Sequence, residues 1–354
     1  MSSKLLFESY FKHSPQINTL AHGRVNLIGE HTDYNGGYVL PTLIPQQISV
    51  AISLREDHQI HGTSKEYGER QADLKSTKDN SWLDLVRGAI HFIQIEGVKI
   101  QGLNIAVTSD IPSGAGLSSS AALEIAMLRA LASLFNINIP SRQLALMGQK
   151  IEHEFVGTQC GIMDQMACAN TKLGEVLFLD CESLQTQIIP QFPDHRFLVI
   201  HSGSSRKLSE GNYNQRKSET SQAAKLLNIP SLRHASLDLV NTINNDVILR
   251  RARHIVSENS RVLQSVECFN KNDPETFGEL MYQSHQSMAE DYEISSSELN
   301  VLVDAAKLAG ALGARLTGAG FGGCVVVLTS KDESEKVAGF IANQCPNSSL
   351  VTVI

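Results

Sequence analysis

The sequence predicts a mixed α/β protein of two domains, and three observations lead there. At 354 residues the chain exceeds what one ordinary core organises. Hydrophobic residues make up 42% and charged residues 19%, the balance of a globular chain with ample apolar surface to bury. Strand-like runs then alternate with longer helical patterns along most of the length.

Residues 1–20 read as an amphipathic helix leading into a segment around Arg24, where Val25, Leu27 and Ile28 mark a buried strand. Strand-like runs follow at 46–54 (QQISVAISL) and 102–108 (GLNIAVT). The stretch 118–135 has helical spacing and is nearly apolar all round, so a buried helix is expected. Pro140-Ser141 opens another helix, with Leu144, Met147, Ile151 and Phe155 on one face. Segments 175–180 (EVLFLD) and 196–201 (RFLVIH) read as strands. After the first of them, Pro190, Pro193 and Asp194 mark the expected boundary, giving domains 1–193 and 194–354. The second is expected to be mostly helical to about Leu312 and to close with strand runs at 324–328 and 350–354.

Charge and cysteine usage exclude several classes. A net charge of -7, from 30 basic against 37 acidic residues, provides no basic footprint for nucleic acid. The six cysteines lack paired metal-type spacing, and several sit in apolar runs, so free thiols are expected rather than disulfides. The first residues, MSSKLLFESYFKHS, are too polar for a signal peptide, and no stretch approaches a membrane span. A cytoplasmic monomer is the expectation.

The most telling segment is 23–41, GRVNLIGEHTDYNGGYVLP. It places Arg24 inside an apolar strand, which is costly unless the charge is paired or used. Glu30, His31, Thr32 and Asp33 follow in a turn closed by Asn35, Gly36 and Gly37. Two carboxylates beside an imidazole offer paired acceptors to the hydroxyls of a polyol. A second segment, DIPSGAGLSSSAALE at 110–124, sets Gly114 and Gly116 about Ala115, then Leu117 and the serines Ser118, Ser119 and Ser120 at a helix start. Such a turn lets backbone N–H groups approach an anion, and a serine hydroxyl could sit on magnesium. It is neither a Walker A loop nor a dinucleotide fingerprint. A third segment, LTGAGFGGCVVVL, satisfies G-x-G-x-x-G at Gly318, Gly320 and Gly323, but a strand follows where a dinucleotide site needs a helix. Asp164, in the apolar CGIMDQ, is either a helix-capping residue or a group held for chemistry.

The three glycine-bearing segments, in this order, resemble the galactokinase signature within the superfamily of galactose, homoserine, mevalonate and phosphomevalonate kinases. The resemblance implies two α+β domains with the active site in the cleft between them. It implies ATP-dependent phosphorylation of galactose at its anomeric hydroxyl, with Mg2+ accompanying the nucleotide. By the same resemblance Asp164 is the base and Arg24 its partner. Glu30, His31, Thr32, Asp33, Gly161 and Tyr213 hold the sugar. Gly114 to Ser120 hold the phosphates, Trp82 lies near the adenine, and Ser120 and Glu152 ligate magnesium. His22, Leu85, Lys217 and Thr220 depart from the family's usual residues, and none of them is a presumed catalytic group. An N-acetylgalactosamine kinase is the rival enzyme, although its glycine-rich run before Met-Asp is absent here. A non-catalytic galactose and ATP sensor is the rival from another class, although the Ser120-Ala121 step such proteins lose is present.

Overall fold

The computed structural model describes residues 2–204 and 209–354; residues 205–208, at the start of the stretch expected to be helical, lie outside them. Helices and two sheets alternate as the apolar pattern demands. The chain divides into two compact units, each discontinuous in sequence. The first takes the chain to Arg24, Pro45–Ile111 and Ser118–Asn170; the second takes Val25–Ile44, Pro112–Leu117 and Thr171–Ile354. This differs from a single cut at 193, because strand pairing ignores chain order. Thr42 pairs with Val176, and strand Glu175–Asp180 pairs in turn with Tyr38–Val39 and Thr186–Pro190, all in the second unit.

In the first unit, Ile48–Leu54 pairs antiparallel with Leu103–Ser109, and Ile60–Ser64 pairs parallel with Leu103–Val107. Helix Ser119–Leu134 is buried continuously from Ala121 to Leu128, as its all-round apolar sequence requires. Around it pack helices Leu83–Ile95, Ser141–Ile151 and Met163–Asn170. Full burial of each Leu or Ile side chain there contributes about 1.5–3 kcal/mol. Residues 1–20 are not one helix. Ser3–Phe11 is helical, Lys12 ends it in the left-handed conformation, and Ile17–Asn26 is a strand. The reason is Pro15, which denies its predecessor helical geometry and cannot donate to a helix interior.

In the second unit a four-stranded antiparallel sheet runs Gly313–Thr317, Cys324–Ser330, His195–His201, Ser349–Val353. Helices of this unit start where the sequence supplies caps. Asn245 accepts from Ile248 N before Asp246–Lys271, Asp273 accepts from Thr276 N before Pro274–Glu290, and Ser296 accepts from Leu299 N before Ser297–Leu308. All six cysteines are free thiols. Among the described residues no helix is long and apolar enough to cross a membrane.

Candidate active site

Arg24 lies on strand Ile17–Asn26 with its side chain buried, and Asp164 is the second residue of helix Met163–Asn170. The guanidinium donates to Asp164 Oδ1 from Nε at 2.8 Å and from Nη2 at 2.6 Å. Ser118 Oγ donates to Oδ2 at 2.6 Å. Both carboxylate oxygens are thus fixed, while the Asp164 side chain stays 31% exposed and reachable from outside. The buried arginine is thus paired with a carboxylate that stays partly exposed. This geometry suits a base whose orientation is set in advance.

The loop before the Ser119–Leu134 helix has left-handed backbone at Gly114 (φ 72°), Gly116 (φ 76°) and Ser118 (φ 62°). A Cβ at Gly114 would touch nothing, so its backbone angle and not crowding calls for glycine there. Ala115 and Leu117 are buried and anchor the loop. Ser118 stands at the N-cap, but its hydroxyl goes to Asp164 and does not cap the helix. The helix start, with Ser119 and Ser120, therefore keeps N–H groups available to an anion.

Helix Ser141–Ile151 ends in a π turn over Glu152–Val156, closed by Gly157, whose N–H reaches Glu152 O at 2.8 Å. Such turns gather at functional sites. Here the turn sets Glu152, 8% exposed, against the Ser120 hydroxyl and against the fully buried Glu124. Burial pushes the carboxyl groups of Glu152 and Glu124 up from the ordinary range, and each is pushed further by negative charge nearby. A hydroxyl and a carboxylate, in a site already short of positive charge, fit a hard divalent cation such as magnesium. Among the described residues no three His, Cys, Asp or Glu side chains form a metal cage. Magnesium does not need one, since it keeps waters and substrate phosphates as ligands.

Trp82 is half-buried before helix Leu83–Ile95, its six-membered ring against Gly62, and its Nε1 is buried without a partner. Gly161 is buried in the turn after Cys160, whose carbonyl lies 3.0 Å from His153 Nε2 and accepts from Gln149 Nε2 at 3.3 Å.

In the second unit, the segment after Asn26 is held by a buried charge network. Glu30 Oε1 accepts from Gly318 N at 3.0 Å and Thr317 Oγ1 at 3.3 Å; Oε2 accepts from Asn26 Nδ2 at 3.0 Å and from Arg315 Nη2. Its four accepting positions are thus taken by the protein, so here Glu30 secures the loop. Arg315 is wholly buried and also donates to Asn26 O and Ser284 Oγ. Glu258 takes Gly29 N at 2.9 Å, Ser284 Oγ at 2.6 Å and Arg261 Nε at 2.7 Å. Burial alone would raise the Glu258 carboxyl, but the charges of Arg261 and Arg315 outweigh it and bring it down to about 2.

Thr32 Oγ1 lies 2.8 Å from Gly29 O and 2.7 Å from Tyr38 O, a loop clamp. His31 has left-handed backbone (φ 62°), with Nε2 3.2 Å from Ala319 O and Nδ1 2.6 Å from the Tyr34 hydroxyl. A carbonyl only accepts, so Nε2 carries the proton and, in the neutral ring, Nδ1 accepts from Tyr34. The Tyr213 ring lies 5.4 Å from both His31 and Tyr34, and Tyr292 lies 4.9 Å from His31. His31 and Tyr213, expected together, are together. Asp33, partly exposed, opens the 3-10 turn Asp33–Asn35 beside them. Arg315, Glu258, Tyr34 and Tyr292 were not anticipated. Arg315 sits in the apolar GARLT, the same signal that singled out Arg24.

Comparison with known proteins fits this arrangement. The galactokinase galactose-binding signature matches residues 5–54, the N-terminal domain of GHMP kinases matches 84–172, and the C-terminal GHMP kinase domain matches 265–347. The structure of Lactococcus lactis galactokinase complexed with galactose is 33% identical, covers 99% of this chain and 96% of its own, and superposes with a TM-score of 0.92. Methanococcus jannaschii mevalonate kinase, 21% identical over 92% of this chain and 95% of its own, gives 0.69. Streptococcus pneumoniae phosphomevalonate kinase in complex with phosphomevalonate and AMPPNP, 17% identical over 96% and 99%, gives 0.73. The last two share the fold. At 33% identity over nearly the whole of both chains, this chain belongs to the galactokinase family.

Proposed function

We propose that this chain transfers the γ-phosphoryl group of ATP to the anomeric hydroxyl of galactose, giving galactose 1-phosphate and ADP. The observation that carries the chemistry is the reachable Asp164 carboxylate, held by Arg24 and Ser118. Phosphoryl transfer asks the protein chiefly to align the reactants and offset charge. Asp164 accepts the proton of the attacking hydroxyl. Arg24 offers positive charge to phosphoryl oxygens as negative charge spreads over them. The backbone from Gly114 to Ser120 holds the phosphates at the helix start, and Trp82 lies beside the adenine. Ser120 and Glu152 would hold magnesium, which would offset the charge of the nucleotide phosphates.

For the sugar, Asp33 accepts from hydroxyls, while Tyr213 with His31 presents ring surface to the apolar face of the hexose. Gly161, in the turn before helix Met163–Asn170, stands beside the sugar. Glu30 and Thr32 keep this loop in shape. The test is ADP release from ATP with galactose, N-acetylgalactosamine, glucose, arabinose and mevalonate as acceptors. Galactose should lead. Faster turnover of N-acetylgalactosamine would overturn the sugar assignment, and binding of galactose and ATP without any turnover would make the chain a sensor.

A further inference from the structure

Glu124 lies one helical turn after Ser120, so the two side chains share a face and Glu124 leans back toward the helix start. It is wholly buried. Oε2 accepts from Gln165 Nε2 at 3.1 Å, but Oε1 has no partner. Gln165, 1% exposed, likewise leaves Oε1 without a donor. The Glu124 carboxylate meets that of Glu152, which also takes the Ser120 hydroxyl. This packing depends on Gly148, where a Cβ would lie 2.9 Å from Gln165 Cγ and 3.1 Å from Glu124 Oε2. Asp164 adds a third negative charge within electrostatic reach, and Arg24 is already bound to it. Two buried carboxyl groups therefore face one another, and among the described residues no donor reaches Glu124 Oε1. Burial favours the protonated form of such a facing pair, so both groups ionise only with a cation beside them.

We propose that Glu124 belongs to the divalent-cation site, its Oε1 adding a second carboxylate to the pair formed by Ser120 and Glu152. The inference rests on the reading of Ser120 and Glu152 as magnesium ligands. Gln165 holds Glu124 in place, and Gly148 makes room for both. Spacing in the sequence carries the same signal, since SSSAALE puts a glutamate four residues beyond Ser120 on a helix whose one other charged residue is Arg129.

The test is Mn2+ affinity of the full chain, measured by electron paramagnetic resonance with saturating AMPPNP, for wild type, Glu124→Gln, Glu124→Asp and Glu152→Gln. Glu124→Gln should weaken Mn2+ binding by about ten-fold or more, as loss of an inner or supporting ligand does. Glu124→Asp should recover part of it. Thermal unfolding supplies the second readout. Without metal, Glu124→Gln should melt at or above the wild-type temperature, since it removes one of two facing carboxylates, and the rise that Mn2+ produces in wild type should shrink. Wild-type Mn2+ affinity in folded Glu124→Gln, with affinity lost in Glu152→Gln, would overturn this inference alone. Wild-type affinity in Glu152→Gln would overturn the cation site itself. A Glu124→Gln protein that melts far lower while keeping its full Mn2+ increment would make Glu124 a packing residue.

Discussion

Replacing Arg315 with Met should separate the sugar segment from the rest of the chemistry. Arg315 is 0% exposed, and its guanidinium serves Glu30, Glu258, Asn26 O and Ser284 at once. Methionine fills similar volume but leaves Glu30 with three donors, Asn26, Thr317 and Gly318, and Glu258 with Arg261 as its cation. Breaking a buried pair from one side costs about 3–5 kcal/mol. The surviving donors place this case at the lower end, so about 3 kcal/mol is expected. At about 2–4 °C per kcal/mol for a unit of this size, the melting temperature should fall by roughly 6–12 °C. Because Arg315 grips Asn26 O and the Glu30 carboxylate, the loop carrying His31 and Asp33 should loosen in the folded fraction. Galactose KM should then rise while ATP KM stays near wild type. Arg315→Lys should recover part of both effects. Differential scanning fluorimetry and steady-state kinetics below the melting point measure them. An Arg315→Met protein with unchanged melting and unchanged galactose KM would refute the network's role.

Acid should destabilise the second unit well above the range where carboxylates titrate. Burial pushes the imidazoles of His254 and His285 from 6.5 down to about 4, so each binds its proton more readily when unfolded. Their neutral forms support folding fully above pH 6.5, and stability falls as pH drops from 6.5 toward 4, by roughly 3 kcal/mol for each residue. Denaturant unfolding followed from pH 7 to 4.5 should show that slope, and a flat profile would contradict it. Asp33→Ala should cost about 1.5–3 kcal/mol of sugar binding, a ten- to hundred-fold loss in kcat/KM for galactose. Loss of ATP affinity with galactose affinity intact would show the two pockets assigned backwards. Chelation should abolish turnover and excess magnesium restore it, and Glu152→Gln should raise the magnesium requirement without unfolding the protein. Normal metal dependence in that variant would remove Glu152 from the site.

What the sequence shows plainly here is what depends on local pattern. Strands 46–54, 102–108, 175–180, 196–201 and 324–328 and the buried helix from 118 stand out because their apolar spacing is dense and their ends carry turn or cap residues. Arg24 and Asp164 each stand out as charged residues in apolar surroundings, but their pairing is what the family resemblance implies, and only the fold brings them to 2.6 Å. Less visible were features set by long-range pairing. Gly313–Thr317 is too short to stand out from a glycine-rich context, and Ser334–Gln344 is a polar helix with a narrow buried side at Val337 and Ile341. The Glu30–Arg315–Glu258 network joins residues 285 and 57 positions apart, and no spacing rule connects them. Arg315 was nevertheless open to the argument used for Arg24, because an arginine flanked by Ala and Leu in a strand needs an anion. Ser118 had a hidden second role. It was expected among the phosphate-loop serines, yet its hydroxyl orients Asp164, which only the folded turn brings within reach.

The most direct measurement of the central claim is galactose-dependent ADP release by Asp164→Asn, with galactose affinity and folding checked on the same sample. Asparagine keeps the shape and can still meet Ser118, but it loses the charge that answers Arg24 and the atom that takes the proton. General-base assistance accounts for roughly 10²–10⁴ in rate, so turnover should fall by at least about a hundred-fold with galactose still bound. Arg24→Ala should also lower turnover, and the double variant should lose much less than the product of the two single losses, because the pair acts as a unit. A folded Asp164→Asn protein that binds galactose and phosphorylates it at the wild-type rate would contradict the account.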